Sequence, residues 1–113
     1  MRPDEIYLAQ FPFGDTSGMK LRPMLLLTGP VGPVPEVLVA YISSAIPAQP
    51  IASDLLLDPS QPEFRSSNLK VKSILRLHKL ATIHRASLAR YLGVLDAATQ
   101  RTIASKLKEL LNF

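Results

Sequence analysis

The sequence contains no cysteine, which excludes disulfide bonds, thiolate metal sites and cysteine nucleophiles together. It also lacks an apolar run long enough to span a bilayer, because prolines and a glycine interrupt the apolar residues between positions 30 and 35. The amino terminus carries acidic residues and a proline where a secretion signal needs a long apolar segment. We therefore expect a cytoplasmic protein that makes no contact with membranes.

Charged residues are also scarce, at 19% of the 113 positions, whereas apolar residues make up 47%, a balance typical of a globular chain. A chain of this length is expected to form one domain, residues 1–113, around one core. The formal net charge of +4 favours a polyanionic partner through counterion release, although many basic proteins bind no nucleic acid.

Three apolar segments in the first half of the chain predict β-strands. Residues 6–11 alternate with a period of two, which is typical of a strand. The runs that begin at Met24 and Glu36 are rich in apolar residues and are separated by a proline-glycine segment typical of a turn. Three successive strands predict a small antiparallel sheet or barrel.

The middle of the chain gives a less regular pattern. The proline-rich stretch 45–68 is predicted to be irregular, with one edge strand around its short run of leucines, because proline lacks the amide that a central strand needs. Residues 69–76 alternate again, which predicts a strand with one apolar face. The other face would then be a basic stripe of Lys70, Lys72 and Arg76.

The last third of the chain contains one ambiguous segment and one clear helix. Residues 78–95 fit helical spacing in part, but Gly93 favours a strand that ends near Leu95. Beyond it, Asp96 is a plausible N-cap, and apolar residues recur at positions 103, 107, 110 and 111. The sequence therefore predicts a carboxy-terminal amphipathic helix that packs on the sheet.

Familiar enzyme signatures are absent from the sequence. No phosphate-binding glycine loop, nucleophile elbow or paired-carboxylate motif occurs. The only histidines, His78 and His84, are six residues apart and have no evident third ligand, so we expect no metal site. Such a pair could act as general acid and base in RNA cleavage, but histidines in a basic chain are more often surface residues.

Three segments resemble the MazF/PemK toxins of bacterial toxin–antitoxin pairs: IYLAQFPFGDTSGMKLRPMLLLTG, VLVAYISS and LKVKSILRLHKLATIH. The resemblance lies in their order: a strand, a polar loop, Lys-x-Arg-Pro, two apolar strands of which the second ends in hydroxyl residues, and a basic VKS segment. These segments cover about half of the chain. The resemblance implies a mainly β fold with some α structure, a small SH3-like antiparallel β-barrel with a carboxy-terminal amphipathic helix, and a homodimer.

The same resemblance implies the toxin of a type II toxin–antitoxin pair. Such a toxin is a sequence-specific endoribonuclease that needs no metal or other cofactor, cleaves single-stranded RNA by attack of the ribose 2′-hydroxyl, and inhibits translation and growth. Cleavage leaves a 2′,3′-cyclic phosphate or 3′-phosphate and a 5′-hydroxyl. The implied partners are the RNA substrate and a cognate antitoxin protein, whose acidic tail occupies the RNA groove.

By this resemblance, Arg22 and Ser43 are the expected catalytic residues. A guanidinium offers fixed, forked donors to the phosphate oxygens on which negative charge builds, but it stays protonated and is unsuited to act as a base. Ser43 can orient the phosphate or the 2′-hydroxyl, and the general base is unassigned. Pro23 favours an extended backbone at Arg22, so the side chain leaves the barrel from a defined position.

The expected RNA-binding residues are cations and one hydroxyl residue near this pair: Lys20, Ser44, Lys70, Lys72 and Arg76. The cations would contact phosphates in a salt-dependent way, and the polar loop from Gly14 to Lys20 would flank the RNA. Tyr7, Phe11 and Phe13 could stack on unpaired bases, although aromatic residues beside a strand of a small barrel are usually in the core.

Several positions depart from the family pattern. Ser43 stands where threonine is common, Ala45 stands where glutamine often follows, and the segment 68–70 lacks an aspartate that some relatives have there. A second function therefore stays open, a non-catalytic toxin or binding module of the same fold, such as a DNA gyrase poison. In that case the basic stripe would serve only as a docking surface.

Overall fold

The computed structural model describes residues 1–10 and 20–113. The described chain forms six strands, two short 3-10 helices at Pro62–Ser67 and Arg85–Ser87, and a carboxy-terminal helix. The elements are β1 (Glu5–Ala9), β2 (Arg22–Leu26), β3 (Glu36–Ser43), β4 (Asp54–Leu57), β5 (Ser73–His84), β6 (Leu88–Val94) and α1 (Ala97–Leu111). The predicted mainly β fold with a terminal helix is confirmed. None of the helices in the described ranges combines the length and hydropathy needed to cross a membrane.

The strands form one antiparallel sheet in the order β4-β5-β3-β2-β1-β6. The edge strands are β4 and β6, and no ladder of the described residues joins them. Among the described residues the sheet is therefore not closed by a ladder between its edges, whereas the resemblance implied a small SH3-like antiparallel β-barrel. The ambiguous segment 78–95 belongs to β5 and β6, so the prediction of a strand that ends near Leu95 is confirmed.

The long strand β5 has an irregularity in its middle. Its pairing with β3 jumps from Leu80 opposite Ala40 to Arg76 opposite Tyr41, so residues 77–79 form a bulge. The half of β5 before the bulge also pairs with β4. One strand thus joins the short edge strand to the centre of the sheet.

The predicted beginning of this strand at residue 69 is wrong, because β5 starts at Ser73. Leu69 is buried in the core, whereas Val71 is exposed, so the segment does not continue the pleat of the sheet. Lys70 and Lys72 lie in the connection before β5, and the predicted basic stripe is not a strand face.

Two apolar clusters lie on opposite faces of the sheet because side chains alternate along each strand. On β2, Leu25 belongs to one cluster, whereas Met24 and Leu26 belong to the other. The helix-side core contains Ile6, Leu25, Ala40, Ile42, Leu57, Leu69, Leu75, Leu77, Leu95 and Ile103. The far-side core contains Ala9, Met24, Leu26, Val37, Val39 and Ile83.

Helix α1 begins as the sequence predicts. The Asp96 side chain accepts a hydrogen bond from the Thr99 amide at 2.7 Å, which caps the amino terminus of the helix. Hydrogen bonds from Thr99 also lower the pKa of Asp96. Ile103 is buried in the helix-side core and Leu107 packs against it, but Leu110 and Leu111 are exposed. The first half of the apolar stripe therefore holds the helix on the sheet.

Candidate functional site

Arg22 and Ser43 lie at the same end of neighbouring strands. Arg22 is the first residue of β2 and Ser43 is the last residue of β3. Met24 pairs with Tyr41 in the ladder between these strands, and each predicted site residue stands two positions beyond that pair on its own strand. Because side chains alternate along a strand, Arg22 and Ser43 lie on the same face of the sheet. Both residues lie beyond the last pair of that ladder; of the two, Arg22 lines the cleft that opens at this end of the sheet and Ser43 does not.

Arg22 is half-buried, and its backbone pairs with Ala9 at the end of β1. The following Pro23 pairs with Leu8, so the extended backbone expected from the Arg-Pro sequence is present. Within the described part of the chain, no carboxylate forms an ion pair with Arg22. Its positive charge is therefore not neutralised by these residues.

Ser43 ends its strand in a tight turn. The Ala45 amide donates to Ser43 Oγ at 3.0 Å, and Ser43 Oγ makes a longer contact of 3.4 Å to the Ala45 carbonyl oxygen. The amide contact fixes the position of Oγ and uses one of its acceptor sites. The hydroxyl proton is held only by the long contact, so it can be donated to a ligand.

A cleft of about 410 Å³ opens at this end of the sheet. Its apolar lining consists of Leu8, Leu21, Pro23, Ile42, Leu69, Val71 and Leu92. Its polar lining consists of Arg22, Ser44, Asn68, Lys70, Ser73, Arg90 and Tyr91. Ile42 and Leu69 belong to the helix-side core, so the floor of the cleft is the open end of that core.

The cleft carries an excess of positive charge. It is lined by Arg22, Lys70 and Arg90, and none of the described lining residues is an aspartate or glutamate. Cations that line a concave surface without acidic neighbours focus a positive potential into it. The cleft is therefore suited to an anionic ligand with an apolar part.

One wall of the cleft is fixed by two contacts with β6. Asn68 Nδ2 donates to the Leu92 carbonyl at 2.7 Å. The register of β6 against β1 skips Leu92, so its carbonyl belongs to a bulge residue. Next to it, a Cβ at Gly93 would overlap the Ser66 carbonyl oxygen and lie 2.9 Å from the Ser67 carbonyl carbon. Only glycine allows the 3-10 helix to pack so closely on β6.

Asn68 also ends the 3-10 helix. Its φ of 54° and ψ of 25° are left-handed, a conformation that asparagine adopts more readily than most residues. The left-handed turn directs the chain from the 3-10 helix into Leu69 and Lys70, which both line the cleft. The wall is thus positioned by local backbone preference and by its contacts with β6.

Of the five predicted RNA-binding residues, two line the cleft and three do not. Ser44 and Lys70 line the cleft together with Arg22. Lys20 is exposed and stands one residue before Leu21 of the lining. Lys72 lies outside the cleft, near Asp58, whose pKa is lowered mainly by hydrogen bonds from Ser60 and further by the charge of Lys72.

Arg76, the last predicted RNA-binding residue, lies away from the cleft at the β4 edge. Its Nε is 3.1 Å from Asp54 Oδ1 and its Nη2 is 3.3 Å from Asp54 Oδ2. Asp54 Oδ2 also accepts from the Ile51 amide at 2.9 Å, and the carboxylate is only 1% exposed. This forked pair ties β4 to β5, so Arg76 has a structural role.

The two histidines have separate surroundings in different halves of β5. His78 Nδ1 lies 3.9 Å from Asp54 Oδ1, whereas His84 Nδ1 accepts from the Ala86 amide at 2.9 Å and caps a short 3-10 helix. Among the aromatic residues proposed to stack on bases, Tyr7 packs against the far-side core. Phe11, Phe13 and the loop 14–19 lie outside the described residues.

Tyr7 also makes an edge-to-face contact with Tyr91, with ring centroids 5.4 Å apart and an interplanar angle of 74°. Burial and the nearby Glu5 carboxylate raise the pKa of Tyr7. The contact ties Tyr91 of β6 to β1. Tyr7 therefore acts as a core residue, as aromatic residues beside a strand usually do.

Sequence reasoning missed Asn68, Arg90 and Tyr91 as lining residues. Arg90 reaches the cleft because β6 pairs with β1, which places it opposite Leu8. That pairing is non-local, so no local pattern around Arg90 could reveal it. For Asn68 a signal existed, since an asparagine after a polar segment favours a left-handed turn.

Comparisons with known proteins concern the family and the fold. A family model described as PemK-like, MazF-like toxin of type II toxin–antitoxin system matches residues 2–111. No curated protein sequence is significantly similar to the chain.

Solved structures share the fold at low sequence identity. The Mycobacterium tuberculosis toxin MazF-mt6 is 24% identical with a TM-score of 0.71, and the match covers 99% of this chain and 98% of that one. An endoribonuclease in complex with its cognate antitoxin from a mycobacterial species is 17% identical with a TM-score of 0.70, over 100% and 96% of the two chains. Another mycobacterial endoribonuclease is 16% identical with a TM-score of 0.68, over 100% and 92%.

Proposed function

Because the chain belongs to the PemK-like, MazF-like toxin family of type II toxin–antitoxin systems, we propose that it is a sequence-specific endoribonuclease. Its substrate is single-stranded RNA, and its reaction uses no metal or cofactor. The ribose 2′-oxygen attacks the adjacent phosphorus and the bond from phosphorus to the 5′-oxygen breaks. The 2′-hydroxyl proton passes to water, and the leaving 5′-oxygen takes up a proton. Loss of mRNA then inhibits translation and growth.

The observation that carries this proposal is the position of Arg22 and Ser43 on the same face, at the same end of β2 and β3. Negative charge builds on the non-bridging oxygens during the attack, and the Arg22 guanidinium can donate two parallel hydrogen bonds to them. No carboxylate of the described chain competes for these donors. Arg22 is therefore the proposed electrostatic stabiliser of the transition state.

Ser43 has a supporting role in this proposal. Its Oγ is held by the Ala45 amide, and its hydroxyl proton makes only a long contact. The hydroxyl can therefore donate to a phosphate oxygen and hold the phosphate against Arg22. We expect a smaller loss of activity from its removal than from removal of the arginine.

RNA outside the cleaved bond is proposed to contact the cleft and its surroundings. Ser44 and Lys70 line the cleft, and the exposed Lys20 and Lys72 lie close in the chain to its lining residues Leu21 and Val71. Such contacts neutralise phosphates and give affinity that falls as salt concentration rises. Arg76 contributes to the stability of the fold through Asp54.

We also propose the partners and location of the toxin. One structural neighbour is an endoribonuclease in complex with its cognate antitoxin, which supports a cognate antitoxin for this chain. The positive cleft suits an acidic antitoxin segment that competes with RNA. A homodimer in the cytoplasm, free of membrane contact, completes the proposal.

The test is cleavage of a long single-stranded RNA in the presence of EDTA, with the fragment ends mapped. We expect discrete cuts that leave 2′,3′-cyclic phosphate or 3′-phosphate and 5′-hydroxyl ends. Arg22→Ala should lower the rate by about 100-fold or more, since preorganised donors to a developing oxyanion contribute this much. Ser43→Ala should lower it less.

Matched controls separate catalysis from folding. Arg85→Ala and Ser105→Ala change exposed residues outside the cleft and should cleave like the wild type. All variants are compared by circular dichroism and thermal unfolding. Absence of cleavage by folded wild-type protein on several diverse RNAs would contradict the proposal, as would full activity of folded Arg22→Ala.

A further inference from the structure

A second cavity, of about 370 Å³, lies between the segment before β4 and the second half of α1. We call it the helix pocket, and its lining consists of Ile51, Ala52, Ser53, Lys106, Glu109 and Leu110. We infer that the helix pocket binds a zwitterionic aliphatic amino acid, with the ligand's carboxylate on Lys106 and its ammonium on Glu109. The pocket shares no lining residue with the cleft, so the inference does not depend on the proposed function.

The helix pocket carries one positive and one negative side chain. Lys106 and Glu109 are three residues apart on α1 and are therefore neighbours on the helix surface. Within the described part of the chain, neither forms an ion pair with the other or with any further charged group. Two opposite charges that line one pocket without neutralising each other match the two charges of a zwitterion. A ligand with a single charge would leave one of them unpaired.

The Lys106 ammonium is held by the opposite wall of the pocket. Its Nζ donates to the Ala52 carbonyl at 2.7 Å. An ammonium has three hydrogens, so two remain for the carboxylate of a ligand. Because the side chain is already tethered, a charge-assisted hydrogen bond from Lys106 costs less side-chain entropy than one from a free lysine.

Asp54 fixes the wall that faces the helix. Its Oδ2 accepts from the Ile51 amide at 2.9 Å, and its own amide donates to the Ile51 carbonyl at 3.0 Å. The forked pair with Arg76 holds the same carboxylate from β5. These contacts fix the turn that carries Ala52 and Ser53, so this wall is formed before a ligand binds.

Ser53 adds an unused polar group to the same wall. The residue is 7% exposed, and its buried Oγ has no hydrogen-bond partner among the described residues. Most buried hydroxyls are hydrogen-bonded, because a buried polar group without a partner destabilises the fold. A carboxylate bound beside Lys106 would supply an acceptor that the Ser53 hydroxyl lacks.

The apolar lining determines which side chain the ligand carries. Ile51 is 48% exposed and Leu110 is 39% exposed, and they line the pocket from its two walls. An aliphatic side chain that covers them removes apolar surface from water. The volume is within the range of about 300–1,000 Å³ found for small-molecule sites. A residue inside a peptide chain has neither terminal charge, so it would leave both Lys106 and Glu109 unused.

The test is an NMR titration of the isotope-labelled protein with three probes. L-leucine carries both charges, N-acetyl-L-leucine carries only the carboxylate, and glycine lacks the aliphatic side chain. We expect L-leucine to shift the amide signals of residues 51–53 and 109–110. The other two probes should bind about tenfold or more weakly, because each lacks a charge-assisted hydrogen bond or the apolar contact.

Variants test the two charged residues. Lys106→Met and Glu109→Gln should each weaken L-leucine binding about tenfold or more, since each removes a hydrogen bond to a charged group. Glu109→Gln keeps the shape of the side chain and the Lys106 tether. Lys108→Met is the matched control, because Lys108 is exposed on the same helix and lies outside the pocket. Circular dichroism and thermal unfolding verify the folding of all variants.

Ser53→Ala separates a ligand-binding role from a structural one. Removal of a hydroxyl without a partner should leave the thermal midpoint of the free protein unchanged or raise it, yet weaken L-leucine binding about fivefold. Unchanged L-leucine binding in folded Glu109→Gln would overturn the inference, as would the absence of signal shifts in the pocket. Equal binding of N-acetyl-L-leucine would also overturn it and would indicate the carboxy terminus of a peptide instead. RNA cleavage enters none of these readouts.

Discussion

The arginine at the β4 edge is paired with a carboxylate, whereas the arginines of the cleft are not paired with any described carboxylate. At the edge, Arg76 forms a forked ion pair with Asp54, a carboxylate that is 1% exposed. In the cleft, Arg22 and Arg90 have no ion pair with any described carboxylate. The comparison teaches that a basic residue in this sheet serves the fold where its charge is neutralised, and is available to a ligand where its charge is not.

The test with the largest expected effect replaces Arg76 and Arg22 by glutamine in two separate variants. Arg76→Gln should lower the free energy of unfolding by about 3 kcal/mol, because it leaves the buried Asp54 carboxylate without its partner. Arg22→Gln should leave unfolding nearly unchanged but lower RNA cleavage by about 100-fold or more. Urea denaturation and cleavage rates at low temperature measure the two effects. A large loss of stability in Arg22→Gln would break the comparison.

The next substitution tests the wall of the cleft at Gly93, where the 3-10 helix packs on β6. It leaves the ion pair between Arg76 and Asp54 intact. Gly93→Ala should lower the free energy of unfolding by about 2 kcal/mol, because the new Cβ would overlap the Ser66 carbonyl. Gly29→Ala is the control, since its Cβ would meet only the Met1 carbonyl at 3.2 Å, in an exposed terminus that can move. Equal stability of the two variants would show that the wall does not depend on this contact.

The salt dependence of RNA affinity tests whether the cations that line the cleft contact phosphates, in contrast to a cation outside it. Lys70→Gln and Arg90→Gln should each reduce the slope of log affinity against log salt concentration by about 0.7, the loss of one phosphate contact on single-stranded RNA. Arg85→Gln, exposed and outside the cleft, should leave the slope unchanged. The measurement is the dissociation constant of 2′-O-methyl RNA over a salt series.

The smallest expected effect concerns Asp96, a half-buried carboxylate that caps α1. Thr99 lowers the pKa of Asp96, so the ionised form stabilises the folded protein above the ordinary aspartate pKa. This contribution is lost as pH falls through the lowered value. Asp96→Asn should therefore decrease the thermal midpoint slightly at neutral pH, and the difference should vanish in acid. A difference that persists in acid would contradict the ionic contribution.

Local patterns predicted most of the fold. Alternation and apolar runs identified β1, β2 and β3, and Asp96 identified the beginning of α1. The pattern failed at residues 69–72, because Leu69 is buried from a connection that is not part of the sheet. Apolar alternation reports burial, and a buried residue in a loop gives the same signal as one in a strand. The 3-10 helix at Pro62–Ser67 was missed although a proline followed by an acidic residue is typical of a helix start.

The candidate site was predicted only where a sequence motif marks it. Arg22 and Ser43 came from the resemblance, and the register of β2 and β3 supports their proximity. Arg90 depended on the pairing of β6 with β1, across about eighty residues of sequence. Arg76 looked like Lys70 in the sequence, because nothing near it revealed that Asp54 would face it from another strand.

The open sheet leaves two strand edges, and both are poor templates for strand addition from another molecule. The β4 strand has four residues and is followed by prolines at positions 59 and 62, while β6 skips pairing at two places along its seven residues. Short strands, prolines and bulges discourage the backbone pairing through which exposed edges aggregate. Two copies of this chain, or the chain and a partner, are therefore expected to meet through side-chain surfaces rather than by extending one sheet into the next.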